Sequence, residues 1–223
     1  MTLANLVRRL NRTRPRGFPA GLMLTDAGRS SSPLTDLRAL PTPSAVILRH
    51  YGEPGRRALA MRLAGEAHRR RHLVLVAADW RLAAAAGADG VHLPEAQARS
   101  GRLAPLLGWI RRRRGRHLTV ACHSRAALAA ARRLGADLAL LSPVFPTASH
   151  PGVATIGAVR FRLWARTAGL PVAALGGITG ATAPLLGQAA AALAAIGGWR
   201  QKERAAEAAL PAFDKASRIR TSG

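Results

Sequence analysis

The sequence is poor in cysteine, in aromatic residues and in long apolar runs. Its single cysteine, Cys122, excludes an intrachain disulfide framework and a zinc site built from cysteines, and it fits a reducing cytoplasm. Aromatic residues make up 4% of the chain, which argues against a base-stacking platform for nucleic acid. The longest apolar run, residues 189–199, is roughly half of the ~20 residues that a membrane-spanning helix needs. We therefore expect a cytoplasmic protein without a membrane partner.

Acidic residues are also scarce, at 11 Asp and Glu against 34 Lys and Arg, which gives a formal net charge of +23. A charge this high attracts phosphate-bearing ligands. Any binding of nucleic acid through it is expected to be nonspecific and sensitive to salt. The charge also keeps one alternative open, a non-catalytic basic barrel with a regulatory or nucleic-acid-binding role.

Short apolar runs alternate with longer segments whose apolar residues recur three and four positions apart, which is typical of alternating β-strands and α-helices. The tripeptide Gly-Ala-Asp occurs at residues 87–89 and 135–137, each time between a predicted helix and a predicted strand, as expected for a glycine that ends a helix. Eight strands, each followed by a helix, predict a small (β/α)8 TIM barrel, since a doubly wound sheet usually has fewer strands. The predicted strands are residues 21–25, 45–49, 73–77, 90–93, 118–121, 138–141, 172–175 and 192–196. The predicted helices are residues 56–71, 80–86, 96–113, 125–134, 158–168, 181–189 and 199–210.

The length of 223 residues and the hydrophobic content of 48% suit a single domain. We predict a leading helix and linker over residues 1–20, the barrel over residues 21–210 and a C-terminal tail over residues 211–223. The first strand and helix form the weakest unit, because prolines flank the helical segment that follows the first strand.

In a barrel of this type, functional residues lie on the loops that follow the strands. Gly176 and Gly177 follow the seventh predicted strand and Gly197 follows the eighth, where glycine lets backbone N–H groups approach a phosphate. The alternative is that these glycines only make tight turns. Their position on the last two strands favours a phosphate-bearing ligand.

Titratable residues follow three other predicted strands. His123 follows the fifth strand and is a candidate general acid or base, although a single histidine is often only a structural hydrogen-bonding group. Asp79 and Glu95 follow the third and fourth strands, and they are the carboxylates that could meet at a magnesium ion. Asp79 fits the N-cap of the next helix equally well. Asp89 and Asp137 lie at the opposite ends of the strands, where a structural role is expected.

Three further residues are predicted to be buried rather than functional. His92 lies inside the fourth predicted strand, where an inward-facing ring belongs to the barrel core. Cys122 has no pattern of activating cations around it and is predicted to be a small core residue. Phe145, in the proline-rich loop after the sixth strand, is predicted to pack against the core rather than stack on a ligand.

Four segments carry a resemblance to a known family: LMLTD at residues 22–26, AGADGVHL at 86–93, PVFPT at 143–147 and LGGI at 175–178. In order and spacing they resemble the thiamine phosphate synthase family, which includes the TenI thiazole tautomerases. The resemblance spans residues 20–200 and implies a (β/α)8 barrel. It also implies an enzyme of thiamine biosynthesis that binds a thiazole phosphate.

The synthases of this family join hydroxymethylpyrimidine diphosphate to thiazole phosphate and release pyrophosphate with the help of magnesium. The resemblance implies that Asp79, together with Glu95, would hold the magnesium ion here. It implies that Arg49 and His150 would face the diphosphate, with His150 at a position where the family has lysine.

Other positions on the magnesium and diphosphate side depart from the family pattern. A glutamine and a lysine at the second strand read Ile47 and Tyr51, and a serine at the fifth strand reads Ala121. The second metal-binding aspartate of the family falls on Gln97. Together these departures remove groups that would handle magnesium and pyrophosphate.

The thiazole side of the resemblance is better preserved. Thr147, Ser149, Gly176 and Gly177 match positions that line the thiazole and its phosphate, and His123 matches the histidine with which TenI proteins isomerise a thiazole carboxylate phosphate. The resemblance therefore favours a TenI-like tautomerase or a low-activity relative, working on a thiazole phosphate without a cofactor. The alternative is a divergent synthase that uses Mg²⁺ and also binds hydroxymethylpyrimidine diphosphate. The oligomeric state is not predicted.

Overall fold

Eight short parallel strands close into a barrel in this computed structural model, which describes residues 1–13, 18–28, 32–147, 152–196 and 199. The strands follow one another around the barrel in chain order, and the last strand pairs with the first in the register Leu22↔Ala194. Each strand agrees with its predicted run to within one residue at either end, which confirms the (β/α)8 barrel. The strands are β1 (Gly21–Leu24), β2 (Ala45–Leu48), β3 (Leu73–Ala77), β4 (Gly90–Leu93), β5 (His117–Cys122), β6 (Leu138–Leu141), β7 (Val172–Leu175) and β8 (Ala192–Ala195).

Helices cover the outside of the barrel. The predicted continuous helix over residues 96–113 is wrong, because Gly101 takes a φ of 72° and Pro105 occupies the first turn of a new helix. The segment predicted as a helix over residues 181–189 is 3₁₀-helical (Ala183–Ala189), with a kink at Gly187, where φ is 58°. The α-helices are α1 (Leu3–Thr13), α2 (Pro33–Arg38), α3 (Arg56–Arg69), α4 (Trp80–Ala85), α5 (Glu95–Ala98), α6 (Ala104–Arg111), α7 (Arg125–Arg133) and α8 (Gly157–Thr167). The predicted helix over residues 199–210, apart from Trp199, and the predicted tail lie outside the described residues. Within the described residues, none of these helices combines the length and the apolar character needed to cross a bilayer.

The predicted leading helix is confirmed as α1, which buries Leu3 and Val7 against the barrel. The side chain of Asn11 anchors its end. The amide nitrogen of Asn11 donates to the carbonyl oxygen of Pro43 at 2.8 Å, and the amide oxygen accepts from the N–H of Ala20 at 2.9 Å. These two bonds hold the helix against the chain where β1 and β2 begin.

Two apolar layers form the core, one between the strands and the helices and one inside the barrel. Side chains alternate along each strand, so both faces of the strands are buried. The buried residues of the inner layer are leucines on β1 and β6, a large residue and an alanine on each of β2 and β3, and alanines on β7 and β8. Its members are Leu22, Leu24, Ala45, Ile47, Leu75, Ala77, Leu138, Leu140, Ala173, Ala192 and Ala194.

The two Gly-Ala-Asp turns have the predicted structural role. Gly87 and Gly135 end their helices with φ angles of 66° and 72°. The carboxylate of Asp89 accepts from the N–H of Val74 at 2.8 Å, and that of Asp137 accepts from the N–H of Leu118 at 2.8 Å. Each carboxylate therefore joins the start of its own strand to the start of the preceding strand.

A polar pair lies inside the otherwise apolar barrel. His92 on β4 and Thr119 on β5 are both buried, and Nδ1 of His92 lies 2.9 Å from Oγ1 of Thr119. Burial, with a smaller contribution from the positive charge of Arg49, lowers the pKa of His92 to about 3. The ring is therefore neutral at every physiological pH, which confirms the prediction of a core residue.

The low pKa of His92 predicts a loss of stability in mild acid. His92 stays neutral in the folded protein while the unfolded chain takes up a proton below about pH 6.5, so folding is disfavoured as the pH falls from there toward 3. We expect the His92 contribution to lower the free energy of unfolding by roughly 2 kcal/mol between pH 7.5 and pH 5. Urea unfolding at both pH values measures it. The double variant His92→Leu/Thr119→Val should lack this part of the pH dependence, and an unchanged dependence would contradict the assignment.

The backbone contact between Gly90 on β4 and His117 on β5 provides a second test. A Cβ at Gly90 would lie 2.0 Å from the carbonyl oxygen of His117, so the two strands would have to separate. We expect Gly90→Ala to lower the free energy of unfolding by about 3 kcal/mol or more. The matched control is Gly65→Ala, on the exposed face of α3 with no neighbouring atom within 4 Å, which should raise it by about 0.5–1 kcal/mol. Equal effects of the two substitutions in urea unfolding would rule out the close contact.

Candidate functional site

A cavity of about 450 Å³ opens where the strands end. Its position agrees with the rule that functional residues of these barrels lie at the carboxyl ends of the strands. The apolar lining comes mainly from β1, β6, β7 and β8 and the residues just after them, and includes Leu24, Leu140, Leu175, Ile178, Ala194 and Ile196. The polar lining consists of Arg49, Tyr51, His92, His123, Ser142, Thr147 and Thr179, with the backbone of Gly176 and Gly177 beside them.

Arg49 is held at the end of β2 by groups that follow β1. Its Nε donates to the carbonyl oxygen of Thr25 at 3.0 Å, and its Nη2 lies 2.6 Å from the carboxylate of Asp26. The backbone N–H of Arg49 also donates to the hydroxyl of Thr25 at 3.1 Å. The guanidinium group is therefore fixed in position at the cavity and partly neutralised by Asp26 before any ligand binds.

Tyr51 and Arg56 form a part of the site that the sequence did not indicate, since Tyr51 was noted only as a departure from a family pattern. Tyr51 lines the cavity and is 52% exposed. The Cζ atom of Arg56 lies over its ring, 5.5 Å from the centroid. Arg56 in turn donates to the carbonyl oxygen of Ala77 at 2.6 Å. The contact joins the loop after β2 to the end of β3, so no local sequence motif could have revealed it.

His123 has the geometry of a base with a defined tautomer. Its Nδ1 lies 2.8 Å from the carbonyl oxygen of Ser142, which only accepts hydrogen bonds, so Nδ1 carries the hydrogen. In the neutral ring, Nε2 is then the nitrogen with a free lone pair. The backbone N–H of His123 donates to the carboxylate of Glu95 at 2.9 Å, which fixes the start of the loop. His123 lines the cavity, and its role as an acid or base stays a prediction.

The neighbouring Cys122 is a core residue, as predicted. It is fully buried, and burial raises the pKa of its thiol to about 12, with the negative charge of Glu95 acting in the same direction. The thiol therefore stays protonated near neutral pH and is not a nucleophile. Phe145 also packs against the core as predicted.

Gly176 and Gly177 allow the loop after β6 to pack directly on the turn after β7. Their φ angles are 93° and 62°, and a Cβ would lie 2.9 Å from Cα of Pro143 at the first and 2.5 Å from the carbonyl oxygen of Pro146 at the second. The N–H of Phe145 donates to the carbonyl oxygen of Gly176 at 3.0 Å. This packing requires glycine by itself, and the binding of a phosphate here stays a prediction.

The two carboxylates assigned to magnesium have other partners. Asp79 is the N-cap of α4 and accepts from the N–H of Leu82 at 2.9 Å, while Glu95 accepts from His123, and neither lines the cavity. Gln97 donates to the carbonyl oxygen of Ala78 at 3.1 Å. The part of the chain that the structure describes holds no cluster of three or more His, Cys, Asp or Glu residues suited to a metal. As arranged, these residues do not fit a magnesium site facing the cavity, and the magnesium assignment stays a prediction of the synthase alternative.

Three predicted ligand contacts fall on residues outside those that the structure describes, namely Ser149, His150 and Gly197. The other predicted site residues that the cavity brings together are Arg49, His123, Thr147, Gly176 and Gly177. The cavity therefore unites the residues predicted for the thiazole side with Arg49 from the diphosphate side.

Comparison with known proteins gives the family. A relative from Geobacter sulfurreducens is 38% identical over 138 residues, and the match covers 58% of this chain and 62% of that protein, less than two thirds of its length. The thiamine-phosphate synthase of Thiobacillus denitrificans is 30% identical over 191 residues, covering 81% of this chain and 87% of that protein. The thiamine phosphate pyrophosphorylase from Pyrococcus furiosus has the same fold, with a TM-score of 0.65 at 20% identity over 85% of this chain and 96% of that one. A family model described as thiamine monophosphate synthase matches residues 35–198, which is most of the chain. The residues of the strand ends, the barrel they form and these matches agree, and the chain belongs to the thiamine monophosphate synthase family.

Proposed function

We propose that this protein isomerises a thiazole carboxylate phosphate in thiamine biosynthesis, as a TenI-like thiazole tautomerase. The observation that carries the proposal is the hydrogen bond from Nδ1 of His123 to the carbonyl oxygen of Ser142. It leaves Nε2 as the proton acceptor of a residue that lines the cavity.

The proposed chemistry needs a single proton shuttle. Tautomerisation removes a proton from one carbon of the ligand and places a proton on another, and no other bond is broken. Neutral His123 accepts the proton at Nε2, which forms an imidazolium ion whose Nδ1–H still bonds the carbonyl oxygen of Ser142. The same ring then returns the proton, so that the enzyme ends as it began.

The cavity suits a flat anionic ligand. Its apolar residues from β6, β7 and β8 would contact the thiazole ring, and Arg49 would supply a fixed positive charge for an anionic substituent. Thr147 and the turn at Gly176 and Gly177 would lie at the phosphate. The ligand carbanion formed in the isomerisation is stabilised when a fixed cation and fixed dipoles surround it.

The second candidate function is a divergent synthase that couples hydroxymethylpyrimidine diphosphate to thiazole phosphate. It is favoured by the matched synthase of Thiobacillus denitrificans, of which the chain covers 87%. In this alternative Arg49 and His150 would face the diphosphate and Asp79 with Glu95 would have to leave their present hydrogen bonds to hold Mg²⁺. The tautomerase requires no such rearrangement.

His123→Ala and His123→Gln test the proton shuttle. Both variants remove the base, so we expect the rate of tautomer exchange to fall by at least about 100-fold, the usual contribution of a positioned acid or base. Proton NMR of the thiazole carboxylate phosphate in D₂O measures the rate through the loss of the exchanging C–H signal. The control is His68→Gln, a histidine on α3 at the opposite end of the barrel, bonded to Asp89, which should leave the rate unchanged. Exchange at the normal rate in folded His123→Ala would eliminate His123 as the shuttle.

Magnesium dependence separates the two candidate functions. We expect tautomer exchange to continue at the same rate in EDTA and in Asp79→Asn, because asparagine replaces aspartate as an N-cap at almost no cost. Asp79→Ala should lower the free energy of unfolding by about 1 kcal/mol through loss of the cap, again without a change in rate. Mass spectrometry of a reaction with hydroxymethylpyrimidine diphosphate and thiazole phosphate checks the synthase alternative. Magnesium-dependent thiamine phosphate that disappears in Asp79→Asn would establish the synthase instead.

A further inference from the structure

Tyr51 lines the cavity, and the proposed isomerisation gives this residue no role. The side chain lines the cavity, yet about half of its surface is exposed to solvent, at 52%. Because the ring lines the cavity, a ligand that covers it gains from the burial of apolar surface. The ring is therefore placed to be covered by a ligand.

The ring is also held in place from one side. The guanidinium group of Arg56 lies 5.5 Å from the ring centroid, in the geometry of a cation–π contact. Arg56 cannot easily move away, because its Nη2 donates to the carbonyl oxygen of Ala77 at 2.6 Å. A fixed ring loses little conformational freedom when a ligand stacks on it.

The charge around Tyr51 argues against a diphosphate at this wall. Arg49 is already paired with the carboxylate of Asp26 at 2.6 Å, so its remaining charge suits a single carboxylate better than a diphosphate. Arg56 bonds the carbonyl oxygen of Ala77 and lies over the Tyr51 ring, and it does not line the cavity. Where a lysine at position 51 would add a free ammonium group, Tyr51 supplies a neutral planar surface. A planar heteroaromatic ring gains from such a surface through stacking, whereas a phosphate gains only a hydrogen bond from the hydroxyl and no charge.

We infer that Tyr51 is a specificity-determining residue that stacks on the heteroaromatic ring of the ligand and makes this half of the cavity unsuited to a diphosphate. The inference rests on the proposed function for the identity of the ring, a thiazole carrying a phosphate. The inference adds a ligand contact that no sequence motif indicated. It also explains how the loop after β2 favours a heteroaromatic ring over a diphosphate.

Calorimetric binding of two probes tests the inference, with thiazole carboxylate phosphate and inorganic pyrophosphate each titrated in the absence of metal. We expect Tyr51→Leu to bind the thiazole ligand about 10-fold more weakly than the wild type, and Tyr51→Phe, which keeps the ring, to bind within about threefold. Tyr51→Lys should lose thiazole affinity like the leucine variant and gain about 10-fold in pyrophosphate affinity, since it adds a cation beside Arg49 and Arg56.

The control substitution is Leu185→Ala, an exposed apolar residue outside the cavity, which should change neither affinity. Thermal unfolding checks that each variant is folded, as expected for a half-exposed side chain. Equal thiazole affinity in the wild type and Tyr51→Leu would overturn the stacking role and leave the proposed function standing. A wild type that binds pyrophosphate tightly but no thiazole ligand would overturn the proposed function and this inference together.

Discussion

Closure of the barrel between β1 and β8 is the constraint on which the site depends. The pairing of these two strands leaves the sheet without an edge and brings all eight strand ends into one ring. Because of that ring, Arg49 after β2 and His123 after β5 line the same cavity although they are far apart in the sequence. The small inner side chains of β7 and β8, such as Ala194, leave room on that side of the barrel. The cavity is thus a consequence of how side-chain volume is distributed around a closed sheet.

The net charge of the chain differs from the charge at the cavity. The formal net charge is +23, yet Arg49 at the cavity is paired with Asp26, and His92 in the barrel is kept neutral by burial. The run of arginines at residues 111–114, by contrast, is exposed beyond the barrel wall. Exposed charges are screened by salt, while partly buried ones keep their strength. The chemistry at the cavity is therefore set by a few fixed groups and owes little to the overall excess of arginine.

The fold can be predicted from the sequence because each strand is recognisable as a separate short apolar run. Runs such as residues 45–48 and 138–141 are bounded by polar residues on both sides, and the Gly-Ala-Asp turns mark two of the connections. The helix over residues 96–113 was wrong because apolar periodicity continues across Gly101 and Pro105, while the backbone does not. Apolar periodicity indicates which residues face the core. It does not detect a break in the helix when the residues on both sides of the break still face the core.

The site was harder to predict, for a reason visible at two residues. His123 was identified as a candidate base, but the tautomer that makes Nε2 the acceptor depends on the carbonyl oxygen of Ser142 on another strand end. Tyr51 was noted only as a departure, since its contact with Arg56 depends on how that arginine bonds to Ala77. Sequence patterns give residue types along the chain, whereas both properties arise from backbone groups that meet only in the folded barrel.

The interlocked glycines also limit how the protein can change. Gly176 packs against Pro143 and Gly177 packs against Pro146, so the loop after β6 and the turn after β7 have complementary surfaces. A loop transplanted from a relative into one of the two places would meet a surface shaped for another partner. Loop grafting, and divergence by natural insertion, should therefore succeed only when both segments are exchanged together, so that the loops after β6 and β7 vary as one evolutionary unit.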